Sequence, residues 1–171
     1  ISDSYITDSG TGNLKIGGSQ IDIEGTSETM AKFIDDGAVE LYHNNVKKIE
    51  TTANGITVTG TAIATTDTDT SNSGTVDLDF ATKQNFVLTL TGNITSLTAS
   101  NEQVGQSGFI VFIQDGTGGR TLSHADDRYH VAGGTSLTLS TGANDVDVVP
   151  YFVQADGTIL LGAIQKDFVE A

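Results

Sequence analysis

Residues branched at Cβ dominate this chain: 25 Thr, 14 Ile and 13 Val make 52 of its 171 residues, against 12 Leu and Met together. Branching restricts χ1 in a helix and suits the pleated surface of a sheet. Twenty Gly supply turns, and Pro150 is the one proline, so ladders can run largely uninterrupted. Leu, Ile, Val and Phe sum to 45 of 171 residues, above the level at which disorder sets in. The expected class is all-β, and folded.

The first sixty residues read as short strands between turns. Asn13–Ile16, Gln20–Glu24, Met30–Ile34, Ala38–Tyr42, Val46–Thr51 and Ile56–Thr59 are the candidate strands. Asp36-Gly37, His43-Asn44-Asn45 and Asn54-Gly55 mark the turns, since Asn-Gly and Asp-Gly tolerate the positive φ of tight hairpins. The spacing predicts a β-meander. Its apolar face, with Val46, Ile49, Ile56 and Val58, is too thin to stabilise a lone sheet in water. Burial against further copies of itself is the expected remedy, and packing on the C-terminal half is the alternative.

Residues 61–74 carry almost no apolar bulk after Ala64 and read as a connector. The expected organisation is a repetitive β shaft over 1–62, a Ser/Thr/Asp-rich linker over 63–74 and a C-terminal β-sandwich over 75–171. The last part has stronger strands: Val76–Phe80, Phe86–Thr91, Ile94–Thr98, the continuous Phe109–Ile113, Leu137–Leu139, Val146–Val153 and Ile159–Ile164. About eight strands in roughly 95 residues suit a sandwich, jelly-roll-like in arrangement. Ile1 in place of Met leads to the expectation that the chain is part of something longer.

Charge and composition exclude several functions. The formal net charge is −14, with 22 acidic and 8 basic side chains, so nucleic acid and anionic membrane surfaces are repelled. No apolar run approaches a membrane span, and membrane insertion is not expected. The absence of Cys removes disulfides, thiolate metal sites and thiol nucleophiles. Asp67-x-Asp69-x-Ser71 begins like a calcium loop but lacks its Gly and its bidentate Glu. The pairs Asp77/Asp79 and Asp145/Asp147 are read as the wet side of half-exposed strands. His43, His124 and His130 do not share metal-ligand spacing, although one His per chain could meet its copies on a three-fold axis.

Ser123-His124-Ala125-Asp126 is contiguous, whereas a catalytic triad converges in space. Gly116-Thr117-Gly118-Gly119-Arg120 lacks a phosphate-loop ending and reads as a hairpin turn. Neither an enzyme, nor a cofactor, nor a metal is expected. The stretch richest in binding groups is Asp126, Asp127, Arg128, Tyr129 and His130, inside the long connection from Ser123 to Gly134. Carboxylates, a guanidinium, a phenol and an imidazole together can bind sugar hydroxyls and stack on sugar faces. Binding commonly sits on loops of a rigid scaffold, so these five residues are the candidate receptor or glycan site. An ordinary charged loop is the alternative.

The run from Asp36 to Thr61, Asp36-Gly37-Ala38-Val39-Glu40-Leu41-Tyr42-His43-Asn44-Asn45 and onward through Asn54-Gly55-Ile56-Thr57-Val58, resembles a segment of bacteriophage virion fibre proteins. Leu88–Thr95, Gln114–Leu122 and Asp156-Gly157-Thr158 are similar to the terminal domain of such fibres. The resemblance spans most of residues 36–164. It implies a homotrimeric fibre, with an intertwined shaft, a β-sandwich tip that touches the host surface, and virion proteins on the N-terminal side. It implies no catalytic residues. One departure is that relatives often place Trp-Pro after the Gly-Gly-Arg-Thr-Leu turn, where Ser123-His124-Ala125-Asp126 stands here. A binding role built on that aromatic does not carry over.

The expected function is therefore a virion fibre, a tail fibre in the first instance, attaching to a host cell-surface glycan or protein. A capsid or collar decoration protein (a head fibre) is the alternative with a purely structural role. A tailspike-like enzyme and a non-phage adhesin are the further rivals.

Overall fold

The structure, a computed structural model, describes residue 6 and residues 9–123 and 126–169. The chain divides into two compact units, Ile1–Ile63 and Ala64–Ala171.

The first unit is a five-stranded antiparallel sheet in sequence order. Its strands are β1 (Gln20–Glu24), β2 (Thr29–Ile34), β3 (Val39–His43), β4 (Val46–Thr52) and β5 (Gly55–Val58). The expected segment Asn13–Ile16 is not a strand. Between β3 and β4 the two loop residues Asn44 and Asn45 take φ of 51° and 58°, the mirror-image turn whose twist matches a hairpin.

Strand alternation sorts the side chains onto two faces. Ile23, Ala31, Leu41, Ile49 and Val58 are successive cross-strand partners on one face. Ile21, Phe33 and Val39 form a second apolar row beside them. On the other face the partners are Asp22, Lys32, Glu40, Glu50 and Thr57. There the Tyr42 hydroxyl donates to Glu40 Oε2 at 2.5 Å, and Lys47 Nζ donates to Glu40 Oε1 at 3.1 Å and also pairs with Glu50. Lys32 Nζ lies 5.7 Å from the centre of the Tyr42 ring. Long side chains thus cover the charged face, and the apolar face is the barer one.

The Tyr42 hydroxyl, and after it Lys47, holds the Glu40 carboxyl below its usual range, while the same contact raises the Tyr42 phenol. A lowered carboxyl stabilises the fold above its unfolded pKa and loses that contribution as pH falls through the folded value. In a carbon-detected NMR titration, Tyr42→Phe should move the Glu40 midpoint upward. An unchanged midpoint would show that Lys47 alone sets it.

The second unit is a six-stranded sheet in the order β6-β7-β8-β10-β11-β9. The strands are β6 (Thr66–Asp79), β7 (Asn85–Ser100), β8 (Ser107–Gln114), β9 (Tyr129–Val131), β10 (Val146–Ala155) and β11 (Thr158–Leu161). β6 is parallel to β7 and β7 to β8, β10 is antiparallel to β8 and β11, and β9 is parallel to β11.

The β6–β7 pairing forces a particular shape. Thr66 pairs with Asn85 and Asp79 with Ser100, so residues 80–84 must carry the chain from one end of the ladder to the other. A straight strand of that length would be about 46 Å long, and so short a connector reaches only about 20 Å. The strands therefore bend around the core. The register slips between Asp69 and Thr75, Gly74 has φ of 67°, and the buried positions of β7 change phase from Phe86, Leu88, Leu90 and Ile94 to Leu97 and Ala99. Each long strand is one turn of a coil; β8 begins the next turn beside Phe86–Leu90, and Leu122 continues it by a parallel bridge to Ile94.

The coil accounts for the differences from the sequence expectations. Phe86–Thr91 and Ile94–Thr98 are one bent strand, β7. The parallel ladder departs from a jelly-roll-like sandwich, whose strands are antiparallel. From Thr66 onward the expected linker 63–74 is strand: its inward position is Asn72, buried without apolar bulk because its amide donates to the carbonyls of Asp69 (3.0 Å) and Thr89 (3.1 Å). Asn72→Leu leaves both carbonyls unpaired and should cost about 1–3 kcal/mol, read as a shift of the denaturant midpoint. No shift would mean that water replaces the amide.

Gly116–Arg120 is not a hairpin turn, because β8 is flanked by β7 and β10 and the chain leaves the turn along the coil. Leu137–Leu139 lies outside the ladders, although Leu139 is buried. Phe80, Phe86 and Tyr151 sit at the centre of the core, with ring centroids 4.9 Å apart for Phe80–Phe86 and 5.2 Å for Phe80–Tyr151. The Tyr151 hydroxyl donates to Gln84 O at 2.6 Å, and burial pushes its pKa up to about 12.

Candidate functional site

The connection expected to bind a receptor is described from Asp126 onward; His124, with Ala125, lies outside the described residues. Asp126 starts a tight turn, its Oδ1 accepting from the Arg128 amide at 3.0 Å and its carbonyl from the Tyr129 amide at 3.3 Å. Arg128 is turned back on the fold: Nη1 donates to the Ala99 carbonyl, and the guanidinium lies 3.7 Å from buried Glu102 and 4.0 Å from Asp126. Tyr129 is a core residue at 6% exposure, its hydroxyl donating to Thr98 O at 3.0 Å. Burial drives its phenol far above the usual range. Its ring presents no face for stacking. Asp127 and His130 are exposed, His130 opposite Leu160 in the ladder.

The acidic pairs are engaged in turns and rungs. Asp69 Oδ1 accepts from the Ser71 amide at 3.0 Å. Asp77 accepts from the Thr98 and Ser100 hydroxyls at 2.7 and 2.6 Å, and Asp79 from Asn101 Nδ2 and the Ala81 amide at 2.9 and 3.0 Å. Asp147 corrects the expectation of a wet face: at 2% exposure it points inward. It accepts from Ser140 N (2.6 Å), Ser140 Oγ (2.7 Å) and Asp167 N (3.0 Å). Among the described residues no three His, Asp or Glu come together as a metal site, and no helix is long and apolar enough to cross a membrane.

Sequence reading missed a second constellation. Asp115 turns the chain after β8 by accepting from the amides of Thr117 and Gly118, both at 3.0 Å, and grips Arg120 Nη2 at 2.8 Å. Arg120 holds the Asp115 carboxyl below its usual range. Buried Gln114 accepts from Arg120 N at 2.8 Å and donates to the carbonyls of Arg120 (2.9 Å) and Ser140 (2.8 Å), joining two segments that no ladder connects. The signal was present in Gln114 closing an otherwise apolar strand.

The coil, its Gly-Gly-Arg turn and the strands after it fall within one family match. The family described as "Putative phage tail fibre C-terminal domain" matches residues 70–158, just over half of the chain. The chain belongs to that family. No curated protein and no solved structure matches it. The match covers β6 from Thr70 through the start of β11, so the bent strands, the Gln114 bridge and Asp147 all belong to the tail-fibre domain. The protein is thus a phage fibre component of the virion, associating with other virion proteins.

Proposed function

We propose that this tail-fibre component is a non-enzymatic homotrimer that attaches the virion to the host cell surface. The carrying observation is the bare apolar face of the N-terminal sheet: Leu41, Ile49 and Val58, consecutive in one cross-strand row, are 42%, 38% and 44% exposed. An uncharged row on a chain of net charge −14 supports self-association, because like chains meeting elsewhere would bring acidic surfaces together. Three copies is the number that the resemblance to virion fibres implies. The shaft lies on the side of the remaining virion proteins, and the C-terminal domain carries the host contact, to a glycan or protein. Asp127 and His130 are the outward groups of the stretch first singled out.

Light scattering after size exclusion should give three times the 17.8 kDa chain mass, and the trimer should co-sediment with host cells. A monomer would remove the shaft, and a trimer that leaves every host cell unlabelled would remove the attachment role.

A further inference from the structure

We infer that the groove between residues 120–122 and 136–141 is a binding site for one ring of a neutral saccharide. This deepens the attachment role proposed above by naming its ligand class, and rests on that role only for its biological meaning. The groove has a volume of about 250 Å³, below the roughly 300–1,000 Å³ of pockets that hold drug-sized ligands. It therefore suits a single ring. Its walls are the two segments that meet through the Gln114 amide. That side chain stands between the Arg120 and Ser140 carbonyls, and the groove opens alongside it.

The walls are fixed before any ligand arrives. Gly118, with φ of 72°, packs so closely that a Cβ there would stand 2.6 Å from Thr141 O, and the Gly119 amide donates to Thr141 O at 2.9 Å. Ser140, on the second wall, is pinned by Asp147 from below. A site already ordered avoids most of the entropy cost of closing on its ligand.

The lining determines the chemistry. Leu122 and Leu137 give apolar surface for the C–H face of a sugar ring, and Thr121, Ser136, Thr138 and Thr141 contribute hydroxyl-bearing side chains to the lining. Hydroxyls both donate and accept, which matches sugar hydroxyls of either orientation. Among the described residues Arg120 is the one charged side chain of the lining, and Asp115 already neutralises it through Nη2 and Nε. An anionic sugar would thus meet no uncompensated cation, on a chain of net charge −14.

The test is saturation-transfer NMR on the full chain with glucose, galactose, mannose, N-acetylglucosamine and glucuronate as probes. At least one neutral sugar should receive saturation, and glucuronate should bind more weakly than glucose. Thr121→Val with Thr138→Val keeps the shape at two exposed positions and removes two hydroxyls, so affinity should fall roughly tenfold or more. Ser136→Tyr, which fills the groove, should abolish the signal, with far-UV CD confirming that both variants fold. A flat response across the panel, or equal binding by both variants, overturns the groove. If wild type and variants sediment equally with host cells, attachment stands and the groove has no part in it. If the sugars bind but no cell is labelled, the groove stands and the attachment role falls.

Discussion

Leu41→Asp should convert the protein from three times its chain mass to a monomer. Leu41 is in the middle strand of the N-terminal sheet, flanked by Ala31 and Ile49. An aspartate there would put three carboxylates into one apolar seam. An unpaired charge taken out of water costs several kcal/mol, and each 1.4 kcal/mol is tenfold in association. Dissociation at micromolar concentration is the expected reading in light scattering. The single chain should keep its sheet, because Leu41 is 42% exposed within it and loses little packing. Glu50→Gln, on the opposite face, is the control and should leave the mass unchanged. If Leu41→Asp stays at three times the chain mass, the copies do not meet through this face.

The N-terminal sheet was legible because its information is local. Alternation over Gln20–Val58 and the Asp-Gly and Asn-Asn turns give five strands and their order without long-range knowledge. The coil was not legible, for two physical reasons. Its first rung places Asn72 where a core residue would normally stand, so hydrophobic patterning has nothing to detect. Its pairings join residues about twenty positions apart in parallel, and strand propensity carries no information on partners.

The candidate site fared differently from residue to residue. Asp127 and His130 are outward, whereas Tyr129 turns inward with Ile159 beside it in the ladder. A three-residue strand is too short for its phase to be read. Asp147 could have been placed from the sequence: Val149, Tyr151 and Val153 are the buried alternation of β10, and Asp147 is in phase with them.

That buried carboxylate leads to the second large effect. Asp147 holds Ser140 by both its amide and its hydroxyl and the C-terminal segment by the Asp167 amide. Asp147→Asn keeps the volume but exchanges one acceptor oxygen for a donating NH₂ group. With the amide nitrogen in the Oδ2 position it faces the Ser140 N–H; in the Oδ1 position it faces the Asp167 N–H. Either way a donor meets a donor in a dry site, and charge-assisted hydrogen bonds worth about 1.5–3 kcal/mol each are weakened or lost. A total of about 2–4 kcal/mol is expected, on the order of a 10 °C fall in Tm for a unit of this size. The damage should extend to function, because Ser140 belongs to the wall facing Arg120: sugar binding should weaken even below the transition, where the domain is still folded. A variant with unchanged Tm would show that Ser140 and the C-terminal segment hold without the carboxylate. Lowered Tm with undiminished sugar binding would show that the wall is positioned by Gln114 alone.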